Sequence, residues 1–417
     1  ITLLIFSFSQ SQSIWQQLPN IITNIGGERF DDVFFLNEDL GWAANGSVAK
    51  VFKTIDGGLN WIEQLNELML SGNYYFRNIE FIDENIGFLG TLNGKFFKSI
   101  DGGDNWTEVV ISPNPPAICG LDAVDSNIIY GCGAYFEPAY VIKSIDRGET
   151  WTYIDLSIYA TALVEVLFFD ELNGFASGRN ELGGIILKTE DGGITWSEVY
   201  NTNVSGDYIW KLQALPSNNN NLFGAVYSVA PNIGRLIKSS DGGTNWVSLN
   251  TPVSEVEAVG FISETTGYIG GDFNGIYQTN DGGLNWSFIN LGGNLNRFQI
   301  LSSNLAYAAG YSIYKLSEDI LSNNIINQSN SNHLDVLITK NPVKNLLKFE
   351  INFNNPDNLL IELYSSNGKF IEQLSSESIF IKSIKKYSFS VHNLSAGSYI
   401  LDFHSNSGRT TKKFIKQ

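Results

Sequence analysis

An eight-residue pattern, Ser/Thr-x-Asp-x-Gly-x-Thr/Asn-Trp, occurs six times at near-constant spacing. The copies run from Thr54 to Trp61, Ser99 to Trp106, Ser144 to Trp151, Thr189 to Trp196, Ser239 to Trp246 and Thr279 to Trp286. Their tryptophans are 45, 45, 45, 50 and 40 residues apart. A period of that size means stacked supersecondary units, none of which can bury its apolar face alone. The residue types spell a folded hairpin turn. Asp56, Asp101, Asp146, Asp191, Asp241 and Asp281 can accept N–H bonds from their own turns, and so can the Ser/Thr two residues earlier. Glycine supplies positive φ where the chain reverses. Trp61, Trp106, Trp151, Trp196, Trp246 and Trp286 then plug each turn into an apolar layer. Calcium loops also use Asp-x-Gly, but each copy offers too few acidic ligands for that ion's oxygen count. No metal is expected.

The stretches between the octapeptides are equally regular. An apolar pair (Phe34-Phe35, Phe81-Ile82, Phe168-Phe169, Phe261-Ile262) leads to a polar turn. A Gly-aromatic strand follows: Gly41-Trp42, Gly87-Phe88, Gly174-Phe175, Gly267-Tyr268. A third strand enters the octapeptide, with Lys53, Lys98, Lys143, Lys188 or Lys238 just before its Ser/Thr. Four short strands per period is the pattern of a propeller blade. The recurring lysine reads as a solvated edge-strand residue. The seventh unit is incomplete. Asn296 to Leu316 supplies three strands, and its octapeptide has decayed to Tyr314-Lys315-Leu316-Ser317-Glu318-Asp319 without a Trp. The missing fourth strand lies at the other end, where Ile14-Trp15-Gln16-Gln17-Leu18 resembles the strand after each octapeptide. The expected fold is all-β: a seven-bladed β-propeller over residues 14–319, closed by the N-terminal strand, plus a small C-terminal β-sandwich.

In all six copies the octapeptide resembles the Asp-box, or bacterial neuraminidase repeat, departing only at Arg147, where the others carry Gly. That resemblance implies a β-propeller in which the box is a structural turn, away from the active face. The repeats also resemble the photosystem II assembly-factor-like propellers. Those bind protein, so this second resemblance implies a binding scaffold.

Residues 1–13 read as the end of a secretory signal peptide, a short apolar run followed by small polar residues. Residues 320–333 are rich in Asn, Ser and Ile and read as a linker. Residues 334–417 carry alternating strands in a small sandwich pattern. Asn341-Pro342-Val343, Asn367-Gly368-Lys369, Leu394-Ser395-Ala396-Gly397-Ser398-Tyr399-Ile400 and Lys412-Lys413-Phe414-Ile415-Lys416 follow in order. They resemble the type A C-terminal sorting domain of the type IX secretion system of Bacteroidetes. The resemblance implies that the secretion machinery is the partner of residues 334–417. It also implies a secreted or cell-surface location.

The net charge is −17 and unevenly divided. From Leu334 onward there are eleven basic and seven acidic residues, which leaves fifteen basic against thirty-six acidic before it. So acidic a domain repels nucleic acid and anionic membrane. No apolar stretch is long enough to cross a bilayer as a helix. His333, His392 and His404 are the three histidines, and all lie outside the repeats. A Ser-His-Asp triad or a His-built zinc site within the repeats is therefore excluded. Cys119 and Cys132 flank a turn near Asp125-Ser126 and are expected opposite each other. An oxidising compartment opens a cross-strand disulfide to them, and two buried thiols is the alternative.

In a propeller the innermost strands line the central channel, and one rim of it is the usual ligand face. Aligning the first strands on their apolar pairs selects Arg29, Asp31, Tyr75, Arg77, Trp210, Lys211 and Glu257 as a candidate mouth. Such a set suits a polar ligand, a sugar or a peptide; the alternative is that its members pair with each other. Sialidases share the Asp-box and use an arginine cluster with a Tyr nucleophile and an acidic partner. Arg29, Arg77 and Arg297 lie near inner strands, but no Arg-Ile-Pro opens the first blade. Xyloglucanases with these repeats use two propellers, and one is expected here. The reading is a non-catalytic binding scaffold for protein or glycan, without a cofactor. Its alternative is a glycan-active hydrolase using the acidic and arginine residues of the mouth.

Overall fold

The computed structural model describes residues 13–24, 27–66, 69–70, 72–136, 138–317, 335–338, 341–353, 357–365, 369–379, 383–405 and 408–417. The signal-peptide reading, but for Ser13, and the linker reading fall outside them. The chain divides into two compact units, Ile1–Asn323 and Asn324–Gln417.

The first unit is an all-β propeller. Among its described residues it forms seven four-stranded antiparallel sheets. Six of them use four strands consecutive in sequence. In the seventh, Ile14–Gln17 pairs with Ile313–Ser317, followed in order by Leu305–Ala309 and Arg297–Ser302. The register sets Trp15 against Leu316 and Gln16 against Lys315.

Each octapeptide closes on itself. Asp56 Oδ1 accepts from Thr54 Oγ1 at 2.9 Å and from Asn60 N at 2.8 Å, and its Oδ2 accepts from Asn60 Nδ2 at 2.7 Å. Thr54 Oγ1 in turn accepts from Gly58 N at 2.9 Å. The same set recurs around Asp101, Asp146, Asp191, Asp241 and Asp281. A side-chain hydrogen bond from Thr150 holds Asp146 down at about 2. Bonds from Asn245 and Asn285 do the same for Asp241 and Asp281. Both oxygens of each carboxylate are thus consumed by the turn itself. Five of the six tryptophans donate from Nε1 to the second Gly carbonyl, as Trp61 does to Gly58 at 3.0 Å.

The two central positions of the turn differ in what they tolerate. The first has positive φ in every copy, including Arg147 at 63°. The second adds a close approach: a Cβ on Gly243 would lie 2.6 Å from the Phe175 ring, whereas one on Gly242 would meet only Asn220 Oδ1 at 3.4 Å. Gly242→Ala is therefore expected to cost about 1 kcal/mol from backbone strain alone. Gly243→Ala should cost about 2–4 kcal/mol, because ring displacement adds to that strain. Urea unfolding of the two variants measures the difference, and equal midpoints would refute the steric account.

Neighbouring sheets are joined by a repeated aromatic stack. Trp42 lies on Phe81 with centroids 3.5 Å apart, Tyr130 on Phe168 at 3.5 Å, Phe223 on Phe261 at 3.8 Å and Tyr307 on Phe35 at 3.4 Å. The glycine before each Gly-aromatic strand makes room for this. Gly41, Gly87, Gly174 and Gly267 pair directly with Phe35, Phe81, Phe168 and Phe261. A Cβ on any of them would sit 2.3–2.6 Å from the ring.

Three of the five recurring lysines are not solvated edge residues, whereas Lys98 pairs with Glu149 and Lys188 with its exposed neighbour Glu190. Lys53, Lys143 and Lys238 each donate at 2.9 Å to a carbonyl in the octapeptide of the next sheet: Gly102, Gly192 and Gly282. Lys315 does the same to Gly57 at 3.3 Å. Gly102 O also accepts from Trp42 Nε1 and Gly192 O from Tyr130 OH, so the cation adds to an existing bond and acts as an inter-sheet staple.

The second unit has two antiparallel sheets. One orders Asp335–Ile338, Leu346–Phe353 and Ser383–Ser390; the other orders Phe370–Ile379, Asp357–Ser365, Gly397–Ser405 and Gly408–Lys416. Val336, Leu347, Phe349 and Ile351 of the first share one core with Leu359, Ile361, Leu363, Leu401, Phe403 and Phe414 of the second. This is the sandwich read from the alternation, with strands Asp335–Ile338 and Phe370–Ile379 added.

Candidate functional site

The innermost strands of the propeller share a device that alternation alone does not reveal. A register shift occurs near the start of five of them: Phe30/Asp32, Phe76/Asn78, Leu163/Glu165, Ile209/Lys211 and Val256/Ala258. Adjacent strand residues ordinarily face opposite sides, and a bulge re-aims one of them. Asp31 and Asp32 can then both project to the axis. The contacts show it, because residues of non-neighbouring sheets meet. Arg77 Nη2 donates to Asn296 Oδ1 at 3.2 Å, and Trp210 Nε1 donates to the same oxygen at 2.9 Å.

The upper layer brings together six of the seven expected mouth residues. Arg29 reaches Asp31 at 3.1 Å and Glu257 at 2.6 Å. Arg77 reaches the same Asp31 oxygen at 2.9 Å, with its guanidinium 5.7 Å from the Trp210 ring centroid. Asn294 Oδ1 accepts from Arg29 at 2.6 Å. Tyr75 packs beside Asp31, and burial raises its phenol well above the ordinary range. Burial alone would lower Arg29, but Asp31 and Glu257 outweigh it and hold the guanidinium charged.

Lys211 belongs to a second layer. It donates to Glu165 at 2.5 Å, and Arg297 holds the other Glu165 oxygen at 2.9 Å while lying 3.5 Å from Asp32. Asp32, Glu165 and Lys211 are buried, so each charge depends on its partner. Sequence alignment on the apolar pairs missed Asp32 and Glu165 because it counted one inward residue where the bulge provides two.

A third layer stitches the inner strands to one another. Gln299 accepts from Phe35 N and donates to Phe35 O, at 2.6 and 3.0 Å. Gln213 does the same with Phe261, at 2.7 and 3.0 Å. Asp122 accepts from Phe168 N at 2.5 Å, and Glu80 accepts from Ala123 N at 3.4 Å. Burial pushes the Asp122 carboxyl up to about 7, against the Phe168 hydrogen bond. Burial, then Asp122, push Glu80 well above its ordinary value.

Asp122 sets an expected pH dependence. Its folded pKa exceeds its unfolded one, so between about pH 4 and 7 the folded state holds a proton that the unfolded state has lost. This contribution is complete below pH 4 and fades as pH rises to 7. Asp122→Asn keeps an acceptor for Phe168 N and should raise the melting temperature at pH 7 by a few degrees, with the gain vanishing toward pH 4. Thermal melts of both proteins across that window measure it; a gain independent of pH would refute the assignment.

Cys119 and Cys132 are buried free thiols. The register sets Gly120, not Cys119, opposite Cys132. The two sulfurs also belong to different core clusters, Cys132 to that of the following sheet and Cys119 to one with Val164 and Tyr208. The expected facing pair is displaced by one residue.

Residues 8–139 match the family model of the photosynthesis system II assembly factor YCF48. Residues 341–417 match the secretion system C-terminal sorting domain. No curated protein matches the chain. Among solved structures, YCF48 from Cyanidioschyzon merolae is 18% identical over 73% of this chain and 98% of its own, with a TM-score of 0.58. YCF48 bound to D1 peptide is 17% identical, over 75% and 99%, at 0.56. PorZ, a surface component of the type-IX secretion system of Porphyromonas gingivalis, is 11% identical, over 93% of this chain and 59% of its own, at 0.51. At these identities the likeness is one of fold. The sorting domain carries the localisation: the chain is a secreted or cell-surface protein with a β-propeller and a type IX secretion sorting domain.

Proposed function

We propose that this protein is a non-catalytic binding propeller for a protein or glycan ligand, exported through its C-terminal domain. We read the ring as seven-bladed and closed by its N-terminal strand, over residues 14–319. In support, Ile14–Gln17 completes the sheet of Arg297–Ser302, and Lys315 and Gln299 reach the first repeat as their counterparts reach the next.

One observation carries the functional reading. Every basic group from the inner strands is spent on a carboxylate within the channel: Arg29 and Arg77 on Asp31, Arg29 also on Glu257, and Lys211 and Arg297 on Glu165. A sialidase-type site needs arginines free to clamp a substrate carboxylate, and a glycosidase needs two open carboxyl groups. The hydrolase alternative draws on Asp122 and Glu80, whose raised pKa values suit a general acid. Glu80 is buried and Asp122 partly so, and each accepts from a backbone N–H. A folded propeller of this kind can hold peptide, since the YCF48 structure is described as bound to D1 peptide.

Glycan and peptide arrays probed with the full chain test the proposal. Saturable binding without turnover, weakened by Trp210→Ala, is expected. Hydrolysis of any arrayed glycan, abolished by Asp122→Asn, would establish the alternative.

A further inference from the structure

We propose that Glu362, Asp402 and His404 form a divalent transition-metal site on the outer face of the sorting domain's larger sheet. Glu362 lies on strand Asp357–Ser365, and Asp402 and His404 on the adjacent Gly397–Ser405. The register pairs Glu362 with Asp402 and Leu360 with His404. Alternation therefore places the three on one face, opposite the face that buries Leu359, Ile361, Leu363, Leu401 and Phe403.

The geometry suits a shared cation. His404 Nε2 is 3.1 Å from Asp402 Oδ2 and 3.6 Å from Glu362 Oε2. Three ligand atoms around an ion at 2.0–2.2 Å in tetrahedral array are about 3.4 Å apart. One ligand atom from each residue lies within 4.8 Å of the others. His404 Nε2 is itself buried and has no hydrogen-bond partner, although two carboxylates face it. A protonated imidazole would aim its N–H at one of them. A ligating Nε2 would instead direct its lone pair at an ion shared with the two carboxylates. Asp402 is almost wholly buried, with its side chain 3% exposed, whereas His404 is 37% exposed. Water can therefore complete the coordination. Tyr364 OH donates to Glu362 Oε2 at 2.9 Å and orients it, as outer-shell partners of metal carboxylates do.

An imidazole with two carboxylates favours zinc-like ions over magnesium or calcium. Bound there, the ion would tie the two central strands of the sheet together. The expectation of no metal rests on the octapeptides and the His-free repeats. This triad falls in neither, and only the strand register assembles it.

The test uses the full chain, stripped with chelator, loaded with zinc chloride and dialysed. Metal analysis should find roughly one equivalent retained, with a higher melting temperature than the stripped protein. His404→Ala should fall to background and Asp402→Asn should lose affinity at least about tenfold, both with unchanged circular dichroism. Cobalt in place of zinc should give visible d–d bands that His404→Ala abolishes. If the wild type retains no zinc, or if the variants retain as much, the proposal fails.

Discussion

Removing residues 14–18 is expected to cost the propeller at least about 5 kcal/mol, a large share of the stability of an ordinary domain. Trp15 is buried with its ring edge-on to Tyr268 at 5.3 Å and to Phe298 at 5.4 Å, and Leu18 is buried against the first repeat. Losing a buried Trp alone costs about 3–5 kcal/mol. Losing the strand also bares the N–H and C=O groups of Ile313–Ser317, to which it is paired over four registers. Trp15→Ala separates the two contributions, since it empties the apolar site and leaves the backbone ladder. A synthetic peptide of residues 13–19 should restore much of the lost melting temperature when added in excess, because the open edge is its template. If the shortened protein melts within a degree or two of the parent, the ring is not closed by this strand.

The pairing of Ile14–Gln17 with Ile313–Ser317 was legible because both halves of that sheet keep recognisable residues. Lys315 occupies the place of Lys53, and Trp15 that of Trp61, despite three hundred intervening residues. Their registers agree: Gln16 pairs with Lys315 as Ile62 pairs with Lys53. The octapeptide was legible for a similar reason. Asp, Gly and Trp each meet a separate demand there, and few other residues meet it.

The channel was only half legible. Asp31, Arg77, Trp210 and Glu257 were found by counting back from the apolar pairs, and they are the bulged residues themselves. Asp32 and Glu165 were not found, since the bulges beside them carry no glycine or other local mark, and Glu80 and Asp122, which sit at regularly paired positions further along their strands, lay beyond the residues counted back. Nothing local in Asp31-Asp32 says that both carboxylates face the axis. That follows from partners on distant repeats, Arg77 for one and Arg297 for the other. The lysine staples were misread for the same reason. A strand pattern shows a side chain's alternation, but not that a turn carbonyl of the next sheet lies within its reach.

The same distinction between local and distant dependence governs the second large effect. The sorting domain buries its own core, in which every residue comes from 336–414. We infer from this that it can fold by itself and act as a detachable address. A protein ending at Ser317 should therefore fold and bind whatever the full chain binds. In its native host it should nevertheless accumulate in the periplasm, with surface and medium levels falling to background. Fractionation followed by immunoblotting reads this directly. In the reciprocal experiment, residues 333–417 fused to an unrelated periplasmic protein should carry that passenger to the surface or the medium. Phe403→Asp in that fusion places a charge in the shared core and should abolish transport if the folded domain is what is recognised. A buried unpaired carboxylate costs several kcal/mol, roughly the whole stability of a sandwich this small. Export of the truncated propeller together with periplasmic retention of the fusion would transfer the address to the repeats, and would leave residues 334–417 as an adhesive module.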